Sequence, residues 1–181
     1  ASKPRTETVR RCTHIRVIGA LLCIPVALFA AVYGAGLRIN WTPSYPPGFW
    51  RIAPLSRPVN VGDRIFICLP DAESFREART RGYLRRGLCP GWLSPLIKTV
   101  VALPGQRVEI GRTVTIDRHR LPRSMLQPLD GSGRVLTPAA GGVVPPGMVF
   151  LHSPYRGSYD SRYFGPVPAA VGPCQSPPPA L

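Results

Sequence analysis

The stretch SPLIKTVVALPGQRVEI, Ser94–Ile110, decides the fold. It is a long apolar strand, a turn at Pro104–Gly105, and a second strand that alternates apolar and polar residues. The one charge in the first strand is Lys98, the only lysine after Lys3 in a chain that otherwise takes its positive charge from arginine. Strand alternation puts Lys98 on the same face as Leu96, Val100 and Ala102. If that face is buried, the ammonium is desolvated and its pKa falls. A lysine neutral near pH 7 can act as a general base, which an arginine cannot. The same residue could instead be an edge lysine whose stem lies on the sheet while its head reaches water. The residues alone leave both readings open.

Working outward, the flanking sequence consists of short alternating segments punctuated by Pro and Gly, with no internal repeat. Arg64–Leu69 is a strand, and Arg112–Pro122 a hairpin turning around Asp117–Arg120. Met125–Ala140 is a polar loop, and Val143–Pro154 a turn followed by a buried strand. Asp71–Arg81, DAESFREARTR, is the one soluble helix, with acids early, arginines late and Gly82 to end it. The proline-rich tail from Pro168 to Leu181 has little to pack. A mostly β domain with one or two short helices follows, and 181 residues suffice for one such domain plus an appendage.

The appendage is N-terminal. Val17–Leu37, VIGALLCIPVALFAAVYGAGL, is continuous apolar sequence, long enough to cross a hydrocarbon core about 30 Å thick. Its small residues Ala31, Gly34, Ala35 and Gly36 could also offer a cleavage site, although its length favours an uncleaved anchor. Lys3, Arg5, Arg10, Arg11 and Arg16 precede it, so the N-terminus stays cytoplasmic and the rest is exported. The expected organisation is a cytoplasmic segment 1–16, a transmembrane anchor 17–37 and an exported domain 38–181. Cys12 and Cys23 fall before or within the anchor. Among Cys68, Cys89 and Cys174 one disulfide is permitted, and Cys68–Cys89 is the expected pair.

Directly after the anchor comes NWTPSYPPGFWR, Asn40–Arg51. Pro43, Pro46 and Pro47 forbid a helix and stiffen the backbone around Ser44. A serine hydroxyl becomes a nucleophile only when a base takes its proton. His14 lies on the wrong side of the anchor, and His119 sits between two arginines in a turn. His152 could join Ser44 and Asp160 in a triad, though no spacing rule supports it. Lys98 is the better base. Thr42 could add a side-chain donor to the Ser44 N–H in an oxyanion hole, or both hydroxyls could merely cap a proline-rich turn. A third segment, GSYDSRYFGPVP (Gly157–Pro168), concentrates Ser158, Asp160, Ser161 and Arg162. A buried serine there could hold the lysine amine and an Asp–Arg pair could lock the loop, or the segment is simply a well-bonded turn.

The formal net charge of +14 points towards anions. The basic residues are scattered and not interleaved with aromatics, so an anionic lipid surface is favoured and no nucleic-acid partner is expected. No CxxC or Cys/His cluster is present, so neither a metal nor another cofactor is expected.

Together the three segments resemble the boxes of the bacterial type I signal peptidases, the membrane serine/lysine proteases. TPSYPP resembles the nucleophile box, IKTVVALPG the lysine box, and VPPGMVFLHSPYRGSYDSRYFGPVP the final box. Within that group, N-x-T-x-S-x-P-x-G-x-W (Asn40–Trp50), the small size and DSRYFGPVP are similar to the TraF-type conjugative-transfer peptidases. The resemblance implies a signal-peptidase-like coiled antiparallel sheet, with Ser44 as nucleophile, Lys98 as base and Thr42 with the Ser44 N–H as oxyanion hole. It gives Ser158 the role of orienting the lysine, and Asp160 and Arg162 a supporting or cyclising role. It implies a propilin substrate, which one branch joins head to tail, and an inner-membrane location with the catalytic domain in the periplasm. Other conjugative transfer proteins are possible partners. Gln106 and His152–Tyr155 depart from the usual pattern, which bears on substrate handling. The alternatives are a general signal peptidase cleaving secretory preproteins, a non-enzymatic channel scaffold and an anion-binding envelope protein.

Overall fold

The computed structural model describes residue 21 and residues 23–169. Two compact units divide the chain between Arg38 and Ile39. In the first, residues 21 and 23–34 are helical (α1). Gly36, at φ +77, ends it: its N–H reaches the Tyr33 carbonyl at 3.1 Å in a left-handed conformation that suits glycine. The expected anchor 17–37 therefore lies partly outside the described residues, and its last residue, Leu37, opens a strand instead. No helix among the described residues is long and apolar enough to cross a membrane.

The remainder is mostly β. In chain order the strands are β1 (Leu37–Asn40), β2 (Gly48–Arg51), β3 (Arg64–Ile67), β4 (Arg86–Cys89), β5 (Leu96–Ala102), β6 (Arg107–Ile110), β7 (Val114–Ile116), β8 (His119–Arg120), β9 (Gly142–Val143), β10 (Met148–His152) and β11 (Val167–Pro168). Helix α2 (Glu73–Thr80) follows β3, and the single turn α3 (Ser161–Phe164) follows β10. Helix α2 is the expected soluble helix, trimmed at both ends. It buries Phe75 and Ala78 and leaves Arg76 to pair with Asp71 and Glu73 on a solvated face.

Among the described residues three sheets form, in the orders β1–β2, β11–β10–β5–β3 and β8–β7–β6–β9. The Ser94–Ile110 stretch supplies a strand to each of the larger two. Strand β5 lies between β3 and β10, antiparallel to both, with Lys98 opposite Ile65 and Thr99 opposite both Arg64 and His152. Lys98 is thus on an interior strand, and the edge-lysine reading is overturned. Its neighbours Val100 and Leu151 join Ile65, Ile67 and Leu69 in one core, sealed by α2. A second core, around Val108, Val114, Val144 and Phe150, lies under the other sheet. Cys68 and Cys89 are joined in a disulfide that ties the end of β3 to β4. Cys174 lies outside the described residues.

Candidate active site

Strand β5 delivers Lys98 into the interior, where the residue is only 2% exposed. Its Nζ donates a short hydrogen bond to Ser158 Oγ, from a segment 60 residues further along. Burial lowers the Lys98 pKa from 10.5 to about 8, with the Asp160 carboxylate opposing the shift and the Arg162 guanidinium assisting it. The amine is therefore poised to exchange a proton near neutral pH.

Ser158 is held by the loop that follows it. Asp160 and Arg162 are fully buried and meet in a two-point ion pair, Nε to Oδ1 at 2.8 Å and Nη2 to Oδ2 at 2.9 Å. Arg162 also donates to the Ser158 carbonyl at 3.0 Å and the Met125 carbonyl at 2.8 Å. Asp160 further caps α3 by accepting from the Arg162 N–H at 3.2 Å. The fully satisfied pair fixes the backbone that carries Ser158.

Ser44 lies in the proline-bounded turn between β1 and β2, half-buried. Tyr45 carries it to the sheet: the Tyr45 hydroxyl lies 2.5 Å from Thr99 Oγ1 and donates to the His152 carbonyl at 3.3 Å. Since Thr99 follows Lys98, this contact sets the Ser44 turn beside the lysine strand. A second tie comes from Ser153, fully buried, whose Oγ donates to the Ser44 carbonyl at 2.7 Å while its N–H donates to Asp160 Oδ2 at 3.1 Å. Among the described residues the Ser44 N–H and Oγ make no hydrogen bond, and Lys98 Nζ is engaged with Ser158. Catalytic hydrogen bonds often tighten only once substrate is bound.

Thr42 is organised by Asn40, which the motif contains but to which the sequence reading assigned no role. Asn40 Oδ1 accepts from the Thr42 N–H at 2.9 Å and from Thr42 Oγ1 at 2.7 Å. Its Nδ2 faces the carbonyls of Tyr45, Thr42 and Pro46 at 3.0, 3.1 and 3.2 Å. Asn two residues before Thr is a local turn pattern and was open to reading. Ser153 carried no such signal, because its partner lies 109 residues away.

Among the described residues no histidine side chain hydrogen-bonds Ser44, although the His152 backbone lies against Tyr45. His152 is buried with Nε2 unpartnered among the described residues, and burial lowers its pKa. His119 is exposed on the β7–β8 hairpin, its Nδ1 2.9 Å from the Asp117 carbonyl, and His14 lies outside the described residues. No group of metal-ligating side chains occurs among the described residues.

A family model described as signal peptidase, peptidase S26, matches residues 7–171. The chain is similar to a probable conjugal transfer protein TraF of Sinorhizobium fredii (strain NBRC 101917 / NGR234), 57% identical over 145 residues, which cover 80% of this chain and 77% of the relative. It is 60% identical over 142 residues to the conjugal transfer protein TraF of Agrobacterium tumefaciens (strain 15955), covering 78% and 81%. A plasmid transfer protein TraF of Escherichia coli is 34% identical over 163 residues, covering 87% and 89%.

Proposed function

The chain belongs to the signal peptidase S26 family, and we propose that it is the membrane-anchored serine/lysine peptidase of a conjugal transfer system, with the propilin as substrate. Family membership makes it a serine peptidase, and the TraF names of its relatives support a role in conjugation. The observation that carries the dyad is Lys98: an amine on an interior strand, with a pKa near 8, against a serine hydroxyl and beside the turn that holds Ser44.

In this mechanism neutral Lys98 takes the Ser44 hydroxyl proton as Oγ attacks the scissile carbonyl. The oxyanion is met by the Ser44 N–H and the Thr42 hydroxyl, each such donor contributing about 2.7–4 kcal/mol to the transition state. Lys98 then protonates the leaving amine, and an acyl-enzyme remains. Attack by water releases a linear product. Attack by the pilin's own N-terminal amine instead closes a circle. Asp160, wholly buried and paired, supports Ser158 in either course.

An anchor over 17–37 with the catalytic domain 38–181 in the periplasm is the matching location. The Cys68–Cys89 disulfide supports an oxidising compartment, and the exposed Trp41 and Phe49 beside Ser44 support a bilayer interface.

The mass of pilin from donor cells carrying the wild type, Ser44→Ala or Lys98→Ala tests the reading. Precursor should persist in both variants, and wild-type pilin should lack a peptide and one further water. Normal maturation in the variants would overturn the dyad. Linear mature pilin alone would leave a hydrolase and remove cyclisation. Broad cleavage of unrelated preproteins would favour a general signal peptidase.

A further inference from the structure

Asn40 closes β1 at 6% exposure, and its amide orientation is dictated by its surroundings. Three carbonyl oxygens stand within 3.2 Å of Nδ2; with the amide reversed, its oxygen would face all three. The atom opposite Thr42 is therefore Oδ1, an acceptor only. Thr42 Oγ1, 2.7 Å away, has a single proton, and that proton points at Asn40. The Thr42 N–H is committed to the same oxygen.

We propose that Asn40 is a positioning residue that holds the Thr42 hydroxyl in reserve and yields it only to the oxyanion. The proposal rests on the Ser44/Lys98 reading above. A ground-state carbonyl is a neutral acceptor, like the Asn40 amide oxygen, and does not displace it. An oxyanion forms a charge-assisted bond roughly twice as strong, so the proton turns to it as the charge develops. Thr42 then contributes to the transition state without tightening substrate binding, and its effect falls on kcat. Because Asn40 consumes the Thr42 N–H, the remaining backbone donor of the hole is the Ser44 N–H.

The test is a double-mutant cycle on the detergent-solubilised full chain, using the propilin of the same transfer system as substrate. Variants are Asn40→Ala, Thr42→Ala, the pair together, and Ser44→Ala. A lost oxyanion donor lowers kcat by about 10²–10³, so Thr42→Ala should fall in that range and Asn40→Ala should lose at least about ten-fold, both with KM within about two-fold of wild type. In the Thr42→Ala background, Asn40→Ala should lose less than about three-fold, the signature of two residues acting as one. Equal losses in both backgrounds, or a rise in KM with kcat unchanged, would overturn the proposal and leave Asn40 a scaffold residue. If Asn40→Ala does not fold, Asn40→Ser enters the same cycle with the same expected pattern. Activity surviving in Ser44→Ala would instead overturn the serine/lysine reading, which separates the two failures.

Discussion

An ammonium inside a sheet is unfavourable for the fold, and that disadvantage is what singles out Lys98 as the proposed base. With its pKa at about 8, only about a tenth of the molecules carry the free amine at pH 7. Peptidase activity should therefore rise from pH 6, reach half its maximum near pH 8 and level off above about pH 9, as a pH–rate profile on the propilin would record. The same shift has a stability counterpart. The folded pKa lies below the unfolded value of 10.5, so between these two values the unfolded chain binds more protons. Lys98's stability deficit is then largest below pH 8 and is relieved as pH rises towards 10.5. Lys98→Met should be inactive, yet at pH 7 it should melt no lower than wild type and should lack this rise. A clear drop in its melting temperature would mean that Lys98 is structural. The lysine itself was legible in sequence because a lone cation in an apolar strand conflicts with its neighbours. Its serine partner was one hydroxyl in a cluster by the residues alone, and only the family resemblance singled out Ser158.

The segment around α3 acts as a single brace. Asp160→Asn removes the negative half of the buried pair and leaves the Arg162 guanidinium uncompensated, a change that typically destabilises by about 3–5 kcal/mol. Asp160 also holds the Lys98 pKa up, so its neutralisation should move the pH–activity inflection to lower pH. Denaturant melts and the pH profile check the two effects separately; a melt that shifts with the inflection fixed would uncouple the brace from the base. Elements of this kind differ in how far they can be read in advance. Helix α2 was readable because its charge order and stop signal are local: Gly82, at φ +83, donates its N–H to the Arg79 carbonyl. Strand β5 was readable from alternation. The pairing of β5 with β10 and the tie from Ser153 to Ser44 join residues far apart in sequence, and no local preference encodes which distant strand becomes the neighbour.

At the scale of the molecule, the Cys68–Cys89 bond closes a loop, 21 residues in sequence separation, that contains α2 and one face of the larger core. Closing a loop of that size restricts the unfolded chain by about 3 kcal/mol. Reductant should lower the melting temperature of the wild type and leave a Cys68→Ala/Cys89→Ala variant, already lower, unmoved. The mostly β architecture was legible from composition and punctuation. The division of the core into two clusters was not, because it depends on where β5 passes across the turn into β6. The threading of the site has one further consequence. Ser44 and Thr42 belong to the start of the catalytic unit, while Ser153, Ser158, Asp160 and Arg162 belong to its closing strands and turn. On the proposed reading a ribosome thus makes the nucleophile Ser44 first, the base Lys98 next and the groups that align them last. If Ser44 and Lys98 form the proposed dyad, the growing chain carries a silent blade until the final segments have been threaded into place.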